Sequence, residues 1–476
     1  MVPLRILFWL STLAFLRTST ASTFKSACVG VSRASATEGS NSALSFTCSR
    51  SISSTFKKRF ELVQVQIIHR HGDRTPITPL ADQDYWKGTL PSPTLLSKIS
   101  EGTIVNKSDG SRAPHSAGGI GPFGKLTKLG LLQMVEVGSR IRDDLHSGEE
   151  DGTNTVDDDG YLHVNSGFLF TNTNPIHPSK VKIKSTDFPR TIQSVQALML
   201  GLFPLGYDGE IEIDASHTDV LIPDPQPRLS LEQVELEREL SHRSHLLEKE
   251  KELETLADRI TKDLHELIDW ENAHSANFGI GEEGDQERTR SLSFSQLSEV
   301  LTCLHVRGML PESISHEDYR TVSSHSAWRW FENLRNENLA KLAMKGFMNF
   351  IMETLRDGRT STKKEDGPVL HIYSCHDSSL IGLLCAFKLE PPTQWPEYGS
   401  FLKVELFKVE GSIKQEEGEE TKVEYYVRFS LNGEVLKSSW GQEKGHEVDP
   451  EARGMISLQE LSGSISRAHG HECILI

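Results

Sequence analysis

The stretch RHGDRTP, residues 70–76, follows directly on the apolar-rich run Leu62–Ile68. That run predicts a buried strand, so the seven residues are expected at its carboxyl end. They place His71 between Arg70 and Arg74. Arginine forks bind phosphoryl oxygens in pairs, and a neutral imidazole can attack phosphorus to form a covalent intermediate. The stretch therefore predicts a phosphate-handling turn with a nucleophile, unless it is a basic surface turn.

A second polar segment, KSTDFPRT at residues 184–191, follows a strand-like stretch with Val181 and Ile183. An apolar series with helical spacing follows it and closes before Pro204. Pro189 suits the first position of that helix. The segment predicts a strand, a turn and a helix, with Arg190 at the turn.

The third segment is the pair His376-Asp377, after the strand-like residues 369–373 and before an apolar helix at residues 378–387. By itself the pair is typical of a helix cap. In an open α/β sheet, however, side chains just beyond the carboxyl ends of strands meet in one crevice. The three segments together predict one pocket.

These segments resemble the three motifs of the histidine acid phosphatases, branch 2 of the histidine phosphatase superfamily. The resemblance implies an α/β fold with a central mixed, mostly parallel sheet, helices on both faces and an inserted, mainly helical cap domain. It implies that His71 is the nucleophile, that Asp377 is the proton donor and that His376 also serves catalysis. It further implies phosphate binding by Arg70, Arg74, Arg190 and His376. If His376 is protonated, it adds a fourth positive donor.

The region before the predicted helix Leu126–Leu145 is most similar to the lysophosphatidic acid phosphatase subgroup. The similarity rests on spacing and on a Gly-rich lead-in, and residues 89–124 are predicted to form a long loop that borders the site. Lys184 departs from the family, many members of which carry arginine there.

The sequence therefore predicts an acid phosphatase that hydrolyses phosphomonoesters through a phosphohistidine, with lysophospholipids as candidate substrates. A phytase-like inositol-phosphate phosphatase is an alternative, although its highly charged substrates would need additional basic residues. A catalytically silent binding protein on the same fold is the alternative from another class. We expect an acidic optimum, because Asp377 must be protonated when substrate binds.

No cofactor or metal is expected, because Cys and His do not occur at structural zinc spacing. The acidic runs at residues 149–151 and 157–159 lack the alternating ligands of a calcium loop. The expected partner is a small phosphomonoester. The net charge of −16 argues against nucleic acid. Membrane contact is expected only with a lysophospholipid substrate, and the oligomeric state is left open.

The amino terminus has a different composition from the rest of the chain. Residues 1–60 carry a charge of +7, and the remainder carries −23. Residues 1–21 read as a secretory signal peptide, with a retained signal anchor as the alternative. Residues 22–59 are a basic, Ser/Ala-rich linker or transit segment. The predicted location is secreted or lumenal, in a lysosome-like compartment, and a mitochondrion or plastid is the alternative.

The domain boundaries predicted from composition and motif order divide the rest of the chain. The α/β core comprises residues 60–225 and 367–460, the helical cap residues 226–366 and a tail residues 461–476. Residues 401–409 and 423–431 are expected to pair antiparallel at the sheet edge. The sequon at Asn106 is expected in a polar loop and its glycosylation is left open. The modification state of Cys473 is also left open, because the last four residues resemble a prenylation box.

Overall fold

A computed structural model describes the chain over most of its length. The described residues are 59–107, 119–146, 155–156, 162–163, 178–204, 206–207, 209–216, 218–222, 231–273, 292–360, 369–390, 395–410, 423–441 and 454–469. The predicted signal peptide, most of the basic segment, both acidic runs and Cys473 lie outside them.

Nine of the described strands form one sheet, and β3 and β4 form a separate pair. The strands are β1 (Arg59–Arg70), β2 (Thr103–Lys107), β3 (Thr155–Val156), β4 (Leu162–His163), β5 (Val181–Ser185), β6 (Ile211–Ala215), β7 (Val369–Cys375), β8 (Phe401–Glu410), β9 (Val423–Leu431), β10 (Glu434–Leu436) and β11 (Met455–Ser457).

The α-helices lie between and after these strands. They are α1 (Gln83–Thr89), α2 (Pro93–Ile99), α3 (Lys128–His146), α4 (Pro189–Leu202), α5 (Thr218–Leu221), α6 (Leu231–Ser241), α7 (Ser244–Asp263), α8 (Trp270–Ala273), α9 (Phe294–His305), α10 (His316–Leu334), α11 (Glu337–Thr360), α12 (Asp377–Ala386) and α13 (Leu458–His469).

The large sheet is mixed. Its order is β10-β9-β8-β1-β7-β5-β6-β2, with β11 also paired to β9. The strands from β1 to β2 in this order are parallel to their neighbours. The β8–β9 pair is antiparallel, as predicted, and β8 joins β1 antiparallel. The predicted α/β class, with a mixed sheet, is confirmed.

Helices cover both faces of the sheet, because successive strand side chains point to opposite faces. Ile67 belongs to the apolar cluster with α3 and α4, and Ile68 to the cluster with α11, α12 and α13. Helices α3 and α4 pack backbone to backbone. A Cβ added at Gly138 would lie 2.1 Å from the carbonyl oxygen of Leu198, so glycine is required there.

A third apolar cluster lies among helices α6 to α10 (residues 231–334), which together are called the helical segment. It includes Ile260 of α7, Leu301 of α9 and Val322 of α10, and it extends to Leu80 and Trp86, which follow the first motif. The helical segment and the residues that follow the first motif therefore share a core.

Three parts of the chain differ from the sequence predictions. Residues 89–124 are not one long loop, because they contain α2 and the edge strand β2. Asn106 lies on β2, where its side-chain amide bonds to Glu212 rather than standing in a loop. Residues 461–469 are not a tail, since the buried Leu461 and Ile465 of α13 pack on the sheet. In each case a few apolar residues at sheet or helix spacing outweigh a polar composition.

The segment expected as a cap is also not uniform. Helix α11, within residues 226–366, contributes Met344, Phe347 and Ile351 to the apolar cluster on the sheet. It therefore belongs to one of the helical layers of the core. Among the described residues, no helix is both long and apolar enough to cross a membrane.

Candidate active site

The three motif segments meet because β1, β7 and β5 are adjacent parallel strands. Arg70 pairs with Cys375, and Ser185 with Ser374, so all three strands end at the same level. The backbone N–H of His71 donates to the carbonyl of Cys375 over 3.1 Å, and that of Thr186 to Ser374 over 3.1 Å. The side chains that follow the strands therefore enter one crevice, as the topology of open α/β sheets requires.

His71 is 2% exposed, and its Nδ1 lies 2.8 Å from the carbonyl oxygen of Gly72. A carbonyl only accepts hydrogen bonds, so Nδ1 carries the proton and Nε2 keeps its lone pair. Burial lowers the pKa of His71 well below its ordinary value, and the nearby cations Arg190 and Arg70 lower it further. The imidazole is neutral, which is the form a nucleophile needs.

Three buried guanidinium groups surround this imidazole: Arg70, Arg74 and Arg190. Each has a buried Nε atom with no hydrogen-bond partner among the residues that the structure describes. Burying an unpaired cationic donor is costly, so three such atoms in one crevice indicate an anion site. Burial lowers the pKa of Arg190 to about 9, and the charge of Arg74 acts in the same direction. A bound anion would offset both effects and raise the pKa of Arg190 again.

The proton on His376 can be located from its neighbours. The hydroxyl of Thr191 lies 2.9 Å from two backbone carbonyls, so its proton points to one of them. Thr191 therefore accepts from Thr186 over 2.8 Å. Thr186 in turn accepts from His376 Nε2 over 3.0 Å. Burial and then Arg190 lower the pKa of His376 well below its ordinary value. In this state His376 is a neutral N–H donor.

Asp377 is the first residue of α12, directly after the cap residue His376. Its Oδ2 accepts from Arg70 Nη2 over 2.8 Å and from Trp395 Nε1 over 2.9 Å. Burial raises the pKa of Asp377, but Arg70, the hydrogen bond from Trp395 and the more distant Arg74 act against burial, and the pKa lies below its ordinary value. Asp377 is ionised while the site is empty.

The first-motif loop, residues 71–78, is held in place by contacts on two sides. A Cβ at Gly72 would lie 2.4 Å from the carbonyl oxygen of Gly130, at the start of α3. On the other side, Arg307 binds Asp73 through both terminal nitrogens, with Nη1 3.2 Å from Oδ1. Asp73 is fully buried and also accepts from the hydroxyl of Thr127. The motif aspartate thus joins the core to the helical segment.

Sequence reasoning placed the six motif side chains at this crevice but missed four side chains that contact the motif segments. Trp395 binds Asp377, and Tyr398 lies 4.2 Å below the guanidinium of Arg70. The others, Glu299 and Arg307, come from the helical segment. None of the four stands in a motif, so no pattern in one sequence marks them. Within the described ranges, no group of three or more His, Cys, Asp or Glu side chains could hold a metal ion.

Comparisons with known proteins agree with the resemblance to the histidine acid phosphatases. A family model described as histidine phosphatase superfamily (branch 2) matches residues 61–432. Lysophosphatidic acid phosphatase type 6 of Bos taurus is 32% identical over 35% of this chain, and the alignment covers only 37% of that enzyme. The protein of the same name from Pongo abelii is 26% identical over 72% of this chain and 73% of its own length.

Solved structures show the same fold. The apo form of Hafnia alvei phytase matches with a TM-score of 0.54 at 14% identity, over 88% of this chain and 99% of its own. Citrobacter braakii phytase matches with a TM-score of 0.51 at 18% identity, over 87% of this chain and 100% of its own. At these identities the likeness extends to the fold alone.

Proposed function

Because the chain belongs to branch 2 of the histidine phosphatase superfamily, we propose that it is an acid phosphatase that hydrolyses phosphomonoesters through a phosphohistidine on His71. The observation that carries the proposal is that the free Nε2 lone pair of His71 lies in the same crevice as three buried arginine Nε atoms that have no hydrogen-bond partner in the described part of the chain. A nucleophile in an anion site suits a phosphoryl group.

Binding precedes chemistry. The free Nε–H groups of Arg70, Arg74 and Arg190 donate to the nonbridging oxygens, while the Nε2–H of His376 stays bonded to Thr186 and holds the imidazole beside them. Substrate enters as the monoanion, whose phosphate carries one proton. Arg70 turns toward the phosphate, and the added negative charge raises the pKa of Asp377. The phosphate proton then passes to Asp377.

The first chemical step breaks the ester bond. The Nε2 of His71 attacks phosphorus in line, the Nε2–P bond forms and the P–O bond to the alcohol breaks. Asp377 gives its proton to the departing oxygen, so the alcohol leaves neutral. In the second step Asp377 takes a proton from water, the water oxygen attacks phosphorus and the Nε2–P bond breaks. Asp377 passes this proton to the departing phosphate, which leaves as the monoanion, so that Asp377 is ionised and His71 is neutral again.

For the substrate we propose a lysophospholipid phosphate, because the relatives named above are lysophosphatidic acid phosphatases. Contact with a membrane surface follows only from that substrate. An inositol polyphosphate is the alternative. Rates on lysophosphatidic acid, inositol hexakisphosphate, a sugar phosphate and an aryl phosphate, measured from acid to neutral pH, separate the two.

The controls for this panel use two histidines. His71→Ala should abolish turnover of every ester, whereas His316→Ala, at an exposed position, should not change the rates. Turnover that survives His71→Ala would exclude the mechanism. A wild-type protein that binds phosphate but hydrolyses no ester would support the silent binding protein instead.

We also propose entry into the secretory pathway through residues 1–21, in keeping with an acidic lumen as the working compartment. Fusing residues 1–59 to a fluorescent protein tests this. Secretory or lysosome-like fluorescence supports the proposal, and mitochondrial or plastid fluorescence would support the alternative.

A further inference from the structure

Helix α9 contacts the first-motif loop through side chains spaced four residues apart. Glu299 and Cys303 lie on one face of this helix, and Arg307 follows just beyond its end. Arg307 binds Asp73, and the thiol of Cys303 lies 3.6 Å from the carbonyl oxygen of Arg74. Side chains four residues apart share a helix face, so all three reach the same loop.

Glu299 makes the most specific of these contacts. Its Oε1 lies 2.5 Å from Nη1 of Arg74 and 2.6 Å from the backbone nitrogen of Ile77. Its Oε2 lies 3.4 Å from the backbone nitrogen of Thr78. The side chains of Arg74 and Glu299 are only 7% and 15% exposed. A carboxylate bonded to two backbone groups is a fixed partner for the guanidinium.

This arrangement leaves one edge of Arg74 free. Nη1 has two protons, and they go to Glu299 and to the carbonyl of Thr75, 3.1 Å away. Nε is buried and has no partner within the described ranges. No group in the described part of the chain bonds to Nη2. The Nε–Nη2 edge of a guanidinium donates two parallel hydrogen bonds, which matches two oxygens of a phosphoryl group.

Charge alone does not explain a carboxylate in this position. An anion beside an anion site repels the ligand and weakens its binding. A pocket that needed only positive charge would lack Glu299. Its contribution must therefore be geometric, because a misplaced donor costs transition-state stabilisation.

We propose that Glu299 is a positioning residue: it occupies one nitrogen of Arg74 and thereby directs the free Nε–Nη2 edge at the phosphoryl group. The inference rests on the proposed phosphatase function. It makes the helical segment part of the phosphate site, acting through Arg74 rather than by touching substrate.

The test is Glu299→Gln, which keeps an acceptor for the N–H of Ile77 but removes the charged partner of Arg74. A geometric role and a purely electrostatic role of Glu299 predict opposite changes in the affinity for inorganic phosphate. Titration calorimetry measures this affinity. Loss of orientation weakens binding and lowers kcat, each by roughly tenfold. Loss of a repelling charge alone would tighten binding. Glu312→Gln, at an exposed position in the same segment, is the matched control and should bind as wild type.

A double-mutant cycle with Arg74→Ala identifies the residue through which Glu299 acts. In the Arg74→Ala background, Glu299→Gln should have no further effect on phosphate affinity or kcat. An equal loss in both backgrounds, or unchanged or tighter phosphate binding by Glu299→Gln, would overturn the proposal. If Glu299→Gln does not fold, Glu299→Asp is used in the same cycle, since it keeps the charge but is one methylene shorter.

Phosphate titrations in the His71→Ala background separate this inference from the proposed function. That background lacks the nucleophile but retains the arginines. Weakened phosphate binding by Glu299→Gln there supports the positioning role even if no ester is hydrolysed. Unchanged binding there contradicts it even if the wild-type protein is a phosphatase.

Discussion

Arg70 donates from Nη2 to Oδ2 of Asp377 over 2.8 Å, so the proposed proton donor is bound, before substrate arrives, to an arginine that we propose binds the phosphate. Together with Trp395, this contact holds the pKa of Asp377 below its ordinary value against the raising effect of burial. Substrate that draws Arg70 toward its phosphate weakens this contact and also brings negative charge close to Asp377, and each change raises the pKa of Asp377. Asp377 can therefore be a carboxylate in the free enzyme and an acid in the complex.

Replacing Asp377 by Asn tests its role through the leaving group. Asn cannot give up a proton to the departing oxygen, so we expect kcat on an alkyl phosphate to fall by about 10²- to 10⁴-fold. The loss on p-nitrophenyl phosphate should be much smaller, because nitrophenolate leaves without protonation. Equal losses on the two substrates would contradict proton donation by Asp377.

The pH dependence of kcat/KM follows from the two neutral histidines and the substrate proton. The lowered pKa of His71 means that the nucleophile is lost only as pH falls through a value well below 6.5. On the other side, activity should fall above about pH 6, where the monoanion loses its proton. An ester with a lower second pKa should shift this alkaline limb to lower pH by the same amount. A limb that does not move with the substrate would contradict delivery of the proton by the monoanion.

Thr186→Val should reveal the hydrogen-bond chain that orients His376. The valine keeps the shape but leaves Nε2–H of His376 without its acceptor, which should lower kcat/KM by roughly tenfold. Thr186→Ser restores the hydroxyl and should retain wild-type rates. Activity in Thr186→Val equal to that of wild type would mean that His376 needs no such partner.

Gly130→Ala should displace the first-motif loop. The new Cβ would lie 2.1 Å from the carbonyl oxygen of Asp73, so α3 and the loop must separate. We expect the free energy of unfolding to fall by about 1–3 kcal/mol and turnover to fall with it. Gly88→Ala is the control, because a Cβ there would have no described atom within 4 Å other than those of its own helix backbone and chain neighbours. Denaturant unfolding of the two variants checks the difference, and equal stabilities would contradict the close approach.

The sequence predicted the sheet class and the convergence of the motifs because both depend on local patterns. Alternation in β1 assigns Ile67 and Ile68 to opposite faces, and parallel strands bring their carboxyl ends together. The pattern of apolar residues also located α3 and α4 to within a few residues.

Contacts made across long stretches of chain could not be predicted in this way. Glu299 lies 225 residues after Arg74, and a glutamate on an amphipathic helix reads as a surface residue. Residues 461–469 are polar in composition, yet Leu461 and Ile465 are buried by the sheet. A pattern shows that a helix has an apolar face, but not which surface that face will meet.

The central claim is a covalent bond between His71 and phosphorus. Its most direct test is rapid acid-free quenching of the enzyme with a ³²P-labelled phosphomonoester, followed by peptide mapping. The account predicts an acid-labile, base-stable phosphoryl group on the peptide that contains residues 70–76. His71→Ala should carry no label, and His316→Ala should be labelled as wild type. Label that remains in His71→Ala, or turnover by wild type without any phosphoenzyme on His71, would contradict the account.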